Sequence, residues 1–304
     1  MGEFDNGDLS AEAAETLEPV DAVPAEAEQG SDAPEQAVDS GHEQYVRMTV
    51  NSGIMPLEMR FEQINNCYRK LPVAYRTFTY MNSVIQGVVP PEKYSYAADG
   101  TDRGKKITLW NIGEAMKAIE QMELAGRKVQ FITARCSPKL VLEDDFYAFI
   151  KEVLENYSFM FPEKLCLEFP RTVLYEDPEK VRMALLSMKL LKVKTMLAGC
   201  GEKDCPITQL LNLPFDYVLL APWLTALADD RSKAPLIASL IGFLRELPSG
   251  VIPDGVLNDE QISQFSRADC AGYIPSPSYV GQVEHGMLRM RLEEAVAQKE
   301  EEEI

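Results

Sequence analysis

The sequence predicts an α/β fold, a TIM-barrel-like (β/α) barrel, from three observations. Apolar runs at residues 165–170, 194–199 and 214–222 are bounded by turn residues and separated by amphipathic segments of helix length. Each run is continuous rather than alternating, the pattern of parallel strands covered on both faces. Counting from Val129, six strand/helix repeats follow at spacings of roughly 20 to 36 residues. That regularity favours a closed barrel over an open doubly wound sheet.

In chain order, residues 1–45 are rich in Ala, Glu, Asp, Pro, Gln and Ser and lack an apolar stripe, so they are expected to form a disordered acidic tail. The barrel is expected over residues 46–282. It opens with a helix-like run at 56–68, then a strand at 73–80 whose aromatic and polar residues alternate. Asn82-Ser83 signals a turn into a second extended run, 84–96, broken by Pro90-Pro91, and the pair reads as an antiparallel hairpin. An exposed polar loop is expected at 99–106, a helix at 109–124 and a strand at 129–133. Glu143-Asp144-Asp145 marks the next helix start, since acids suit the positive end of a helix dipole.

After the strand at 165–170 come a helix at 177–191, the strand from Lys194, a short helical run at 207–213 and the strand ending at Pro222. A helix at 234–247, a strand at 250–253, a helix beginning at Asn258-Asp259-Glu260 and a strand at 271–274 complete the repeats. Residues 283–304 read as a charged C-terminal helix or tail.

The formal charge of −18 is confined to the ends. Residues 1–45 hold thirteen acids and no Lys or Arg, and residues 293–304 hold six Glu against one Lys, which leaves residues 46–292 balanced. Acidic tails on a neutral body without a basic face argue against nucleic acid as a partner. No signal-like N-terminus and no run of eighteen apolar residues occurs, so a cytoplasmic protein without a membrane span is expected. The six cysteines show no CxxC spacing, Cys200 and Cys205 have no neighbouring His, and the histidines are His42 and His285 alone. Free thiols are expected and a zinc site is not.

Five short segments follow one another in a telling order. They are Cys136-Ser137-Pro138-Lys139 with Asp145-Phe146; Leu165-Cys166-Leu167-Glu168; Leu213-Pro214-Phe215-Asp216-Tyr217-Val218-Leu219; Asp254-Gly255-Val256 with Asp259-Glu260-Gln261; and Ala271-Gly272-Tyr273 with Pro277. Over roughly residues 70–282 the chain thereby resembles the EAL-domain family of bacterial cyclic-di-GMP phosphodiesterases. The resemblance implies a barrel with one strand running against the others. It also implies carboxylates at the strand ends that hold two Mg or Mn ions about 3.5–4 Å apart to activate water.

Carried over position by position, the chemistry is largely missing. The adjacent metal-bridging aspartates fall on Ala198 and Gly199, the catalytic lysine on Leu219 and the acid beyond it on Ala221. The metal-binding asparagine falls on Arg135, a permanent cation, the family's glutamine on Ala271, and a late glutamate becomes Asp254 with Leu257 for its companion acid. Glu168 survives. The Glu-Ala-Leu signature aligns to Glu92-Lys93-Tyr94 and the ligand-gripping Leu-Arg to Ser95-Tyr96.

Glu168 reads either as a remnant ligand or as a structural acid paired with Arg135, and Arg135 either as a partner of Glu168 and Asp254 or as a phosphate-binding group. Trp223, just past a strand end, either anchors a partner or packs under a helix. The function expected from the resemblance is a degenerate member without hydrolysis, needing no cofactor and acting as a protein-binding adaptor or regulator. The alternatives are a cyclic-di-GMP receptor that does not cut, and residual phosphodiesterase activity. A homodimer is compatible with either.

Overall fold

The computed structural model describes residues 57–83, 87–99 and 102–280, all within the compact unit Val38–Ile304. The expected acidic tail at 1–45 and charged segment at 283–304 lie outside the described residues. Strand β1 (Leu57–Asn65) pairs antiparallel with β2 (Pro72–Ser83), and β2 carries the short hairpin partner β3 (Gly87–Val89). From β2 the sheet continues in parallel through β4 (Ile132–Arg135), β5 (Leu165–Pro170), β6 (Lys194–Cys200), β7 (Tyr217–Leu220), β8 (Gly250–Val256) and β9 (Ile274–Pro275).

The path nearly closes. Asn65 at the end of β1 exchanges two backbone hydrogen bonds, 2.8 and 2.9 Å, with Tyr273 just before β9. The fold is therefore a nearly closed mixed α/β barrel with β1 as its one antiparallel wall. Gly272 permits the seam: a Cβ there would lie 3.0 Å from both the Asn65 carbonyl and Ile64 Cγ2.

Helices follow the strands on the outside: α1 (Pro91–Asp99), α2 (Asp102–Leu124), α3 (Phe146–Asn156), α4 (Pro178–Leu190), α5 (Pro222–Ala226), α6 (Ala234–Arg245), α7 (Asp259–Arg267) and the single turn α8 (Pro277–Val280). Local sequence sets their starts. Asp177 accepts hydrogen bonds from the Glu179 and Lys180 amides ahead of Pro178. Asn258 accepts from the Gln261 amide while the Gln261 side chain accepts from the Leu257 amide, a reciprocal cap on α7. Among the described residues no helix is long and apolar enough to cross a membrane.

Two apolar layers hold the barrel. Leu165, Leu167 and Phe169 of β5 face the outer helices, together with Leu197, Val218 and Val251 from neighbouring strands. Inside lie Ile64, Ala74, Phe131, Cys166, Met196, Ala198, Leu219, Ile252 and Ile274, side chains from successive strands that fill the bore as a barrel core requires.

Four expectations change. Within the run at 56–68, Leu57–Asn65 is a strand rather than a helix, because the seam needs an antiparallel wall and its residues alternate as well as they spiral. Of the extended run expected at 84–96, the described residues are extended at Gly87–Val89. Pro91 then starts α1, a first helical position that its fixed φ suits. The polar loop at 99–106 is helical from Asp102 onward. The strand at 129–133 is shifted to Ile132–Arg135, which moves Arg135 onto the strand end.

Candidate functional site

One strand face sets the site. Along β2, Ala74 and Arg76 share a parity, as do Ile64 and Glu62 on β1, Cys166 and Glu168 on β5, and Ile252 and Asp254 on β8. The first of each pair lies in the apolar bore. The second therefore stands one layer nearer the mouth. Glu62 and Arg76 are direct cross-strand partners.

The Arg76 guanidinium occupies the centre. Its Nε donates to both Glu168 oxygens at 3.1 and 3.0 Å, its Nη2 donates to Glu168 Oε1 at 2.8 Å, and its Nη1 donates to Asp254 Oδ2 at 3.0 Å. The three side chains are only 14, 7 and 15% exposed, so these are charge-assisted bonds in a poorly solvated cleft. The Glu168 and Asp254 carboxylates hold the Arg76 proton more tightly than in water, against the burial that opposes any charge. Burial likewise pushes Asp254 above the usual aspartate value despite Arg76. Glu62 is raised to about 7, by burial first and then by Asp254 and Glu168, with Arg76 opposing.

Beside this cluster stands a second one. Arg135 is the lateral neighbour of Glu168 on β4, but its guanidinium turns to Asp99 at the end of α1, at 2.9 and 2.5 Å. Asn111 of α2 donates to the Arg135 carbonyl and accepts from Thr79, whose own carbonyl accepts from Tyr94. Ser137 donates to the Asp99 carbonyl. This network ties α1 and α2 to the ends of β2 and β4.

The residues singled out from the sequence divide accordingly. Glu168 and Asp254 meet through Arg76, and the pairing of either with Arg135 is corrected: Arg135 has Asp99 as its ion-pair partner. Ala198 and Gly199 lie at the end of β6 and offer no side-chain donor, and Leu219 packs inside the bore. Glu92 is exposed in the first turn of α1. Ala271 is exposed beside Gly250 and Val251, at the amino end of β8, away from Asp254. Trp223 on α5 is half exposed.

Arg76, Glu62 and Asp99 were missed. The available signal for two of them was a charged residue two places from an apolar bore residue on the same strand, Arg76 from Ala74 and Glu62 from Ile64; Asp99, at the end of a helix, had no such signal.

A pair of divalent ions does not fit this donor set. Both oxygens of Glu168 accept from a guanidinium, Asp254 shares it, and the β6 end supplies hydrogen and methyl where hard oxygen ligands are needed. Among the described residues no group of three His, Cys, Asp or Glu side chains is arranged to hold a metal ion.

Comparison with known proteins gives a consistent outline. The EAL domain family model matches residues 54–273. An uncharacterized signaling protein of Caulobacter vibrioides is 22% identical over 187 residues, 61% of this chain and 22% of that protein's own length. Among solved structures, the EAL enzyme Bd1971 in its cAMP and cyclic-di-GMP bound form superposes with a TM-score of 0.68 at 15% identity, covering 78% of this chain and 64% of that one. The PaMucR phosphodiesterase in complex with c-di-GMP gives 0.65 at 15% identity over 77% of this chain and 94% of its own. The FimX EAL domain from Pseudomonas aeruginosa bound to c-di-GMP gives 0.63 at 12% identity, over 77% and 93%. At these identities the superpositions establish a shared fold.

Proposed function

The chain belongs to the EAL domain family, and on that premise we propose that it is a member in which a guanidinium has taken over the work of the metal ions, so that it binds rather than hydrolyses. The single observation that carries this reading is Arg76 bonded at once to Glu168 and Asp254. A cation built into β2 offsets one of the two negative charges there and hydrogen-bonds both acids without any ion from solution. Arg76 has no open coordination position and cannot acidify a bound water, which is what a two-metal centre supplies. The residues at the other positions, Ala198, Gly199, Leu219 and Ala221, add no group able to do so.

Binding to another protein is the function this leaves, and the half-exposed Trp223 is the surface group that best suits a partner contact. A cyclic-di-GMP receptor is the second reading, favoured by structural neighbours that hold that ligand. Against it stands the pairing of Arg76 with Glu168 and Asp254, and of Arg135 with Asp99, which engages two cations that a ligand with two phosphates would need free.

The test incubates the purified full chain with cyclic-di-GMP and Mn, separates the products by chromatography, and titrates the same protein calorimetrically with the dinucleotide. The expected outcome is no linear dinucleotide and no binding in the micromolar range. Linear product that disappears in Glu168→Ala would overturn the reading, and micromolar binding without product would establish the receptor instead.

A further inference from the structure

The six cysteines are not chemically alike. Burial raises Cys67, Cys136, Cys166 and Cys270 above the usual thiol value. Cys200 is raised too, first because its thiol proton is held in a hydrogen bond to Cys205 and then by burial. Cys205 alone is lowered, first by the neighbouring Cys200 thiol and then, against its partial burial, by the Gly201 amide and the Arg171 charge, with Glu202 opposing.

The backbone brings this pair together. β6 ends at Cys200, and the chain doubles back through two successive turns, Glu202 N to Gly199 O at 3.1 Å and Cys205 N to Glu202 O at 3.0 Å. Gly199, Gly201 and Asp204 take left-handed φ values of 73, 85 and 66°, three within six residues, which coils the segment tightly. Gly201 is pressed so closely to Leu224 of α5 that a Cβ would collide with it. The Arg171 stem passes Gly199, with its Cδ 3.9 Å from where a Cβ would stand. Cys200 is fully buried with its carbonyl bonded to the Ala221 amide, whereas Cys205 is partly open to solvent. A protected thiol next to an accessible, cation-flanked one is the arrangement of a resolving and an attacking cysteine.

We propose that Cys205 and Cys200 form a modification site, a dithiol that hydrogen peroxide or a related two-electron oxidant converts to a disulfide beside the barrel mouth. The Cys205 thiolate attacks one peroxide oxygen, the O–O bond breaks, and the departing hydroxide takes a proton to leave as water, with Cys205 as the sulfenic acid. The Cys200 sulfur then attacks the Cys205 sulfur. The S–O bond breaks, the hydroxide leaves with the Cys200 proton as a second water, and the S–S bond forms. Two thiols and one peroxide become one disulfide and two waters. The cross-link closes residues 200–205 into a ring and fixes the turn that Gly201 presses onto α5, the helix that carries Trp223. The proposal stands whether or not the mouth hydrolyses anything.

The test uses the native full chain and mass spectrometry. Under brief iodoacetamide treatment near neutral pH, Cys205 is expected to be alkylated at least ~10-fold faster than the other five thiols. Trypsin cuts after Lys203, so Cys200 and Cys205 fall in separate peptides, residues 195–203 and 204–231. After mild peroxide these two peptides are expected joined, lighter than their sum by two hydrogens. In Cys200→Ser, which removes the resolving thiol, the same treatment is expected to leave a sulfenic acid at Cys205 that dimedone captures. Equal alkylation of another cysteine, or consumption of Cys205 by peroxide without the joined peptides, overturns the proposal. The wild-type peptide map decides it even if the variant does not fold.

Discussion

Arg76 carries a permanent charge into a cleft that three carboxyl groups share. Removing it would strand Glu168 and Asp254 as buried, unpaired acids, and breaking a buried pair from one side costs about 3–5 kcal/mol. Arg76→Met, which keeps the stem and loses the charge, is expected to lower unfolding stability by that amount in denaturant titration. Unchanged stability would mean that the acids are better solvated than their 7 and 15% exposure indicates. Glu62 adds a pH dependence of definite sign. An unfolded glutamate ionises near its usual 4.5, whereas the folded Glu62, facing Arg76, Asp254 and Glu168, stays protonated up to about 7. Folding therefore takes up a proton between those values, and the stability this contributes is full below about 4.5 and is lost progressively as pH rises from there through about 7. Chemical denaturation at pH 5.5 and pH 8 is expected to show the lower value at pH 8, by on the order of 1–3 kcal/mol. Glu62→Gln should flatten that difference; a wild-type protein already equal at both pH values would contradict the assignment.

At the scale of elements, the barrel depends on its narrowest seam. β1 reaches Tyr273 through two backbone hydrogen bonds, and Gly272 lets the strands approach. Gly272→Val is expected to push β1 outward and cost about 1–3 kcal/mol by overpacking. Amide exchange should locate the loss in β1 and β9 rather than in β5 to β7, and uniform loosening would argue against a local seam. The same elements mark where the sequence could and could not be read. β5 to β8 are continuous apolar runs between turns, a pattern with one good solution in this context, and they lie within a few residues of where their sequence suggests. β1 is amphipathic, with Arg60, Glu62 and Gln63 among Met59, Phe61 and Ile64, so it fits a helical period as well as an alternating one. Only the closure of the sheet decides between them. Pro90-Pro91 looked like an interruption of a strand because proline breaks ladders, yet Pro91 serves as the first residue of α1.

At the scale of the whole molecule, cations fixed in the chain offset part of the acid charge at the mouth. Arg76 and Arg135 stand among Glu62, Asp99, Glu168 and Asp254, drawn from β1, β2, β4, β5, β8 and α1. Two guanidiniums supply half the charge of two divalent ions, and the cleft has correspondingly fewer acids at the end of β6, where Ala198 and Gly199 stand. Glu168 and Asp254 were legible as candidates because each lies at a strand end within a short motif. Arg76 was not, since its partners are 92 and 178 residues away and only the closing of the barrel brings them within reach. The expected Arg135 pairing failed for a related reason: its actual partner, Asp99, sits on a helix that the sequence had suggested was a loop. Manganese titration of the full chain, with free and bound Mn counted by electron paramagnetic resonance, addresses the proposed exchange of metal for guanidinium most directly. No stoichiometric binding is expected at micromolar Mn; two tightly held ions per chain that are lost in Glu168→Ala would show that the metal site persists.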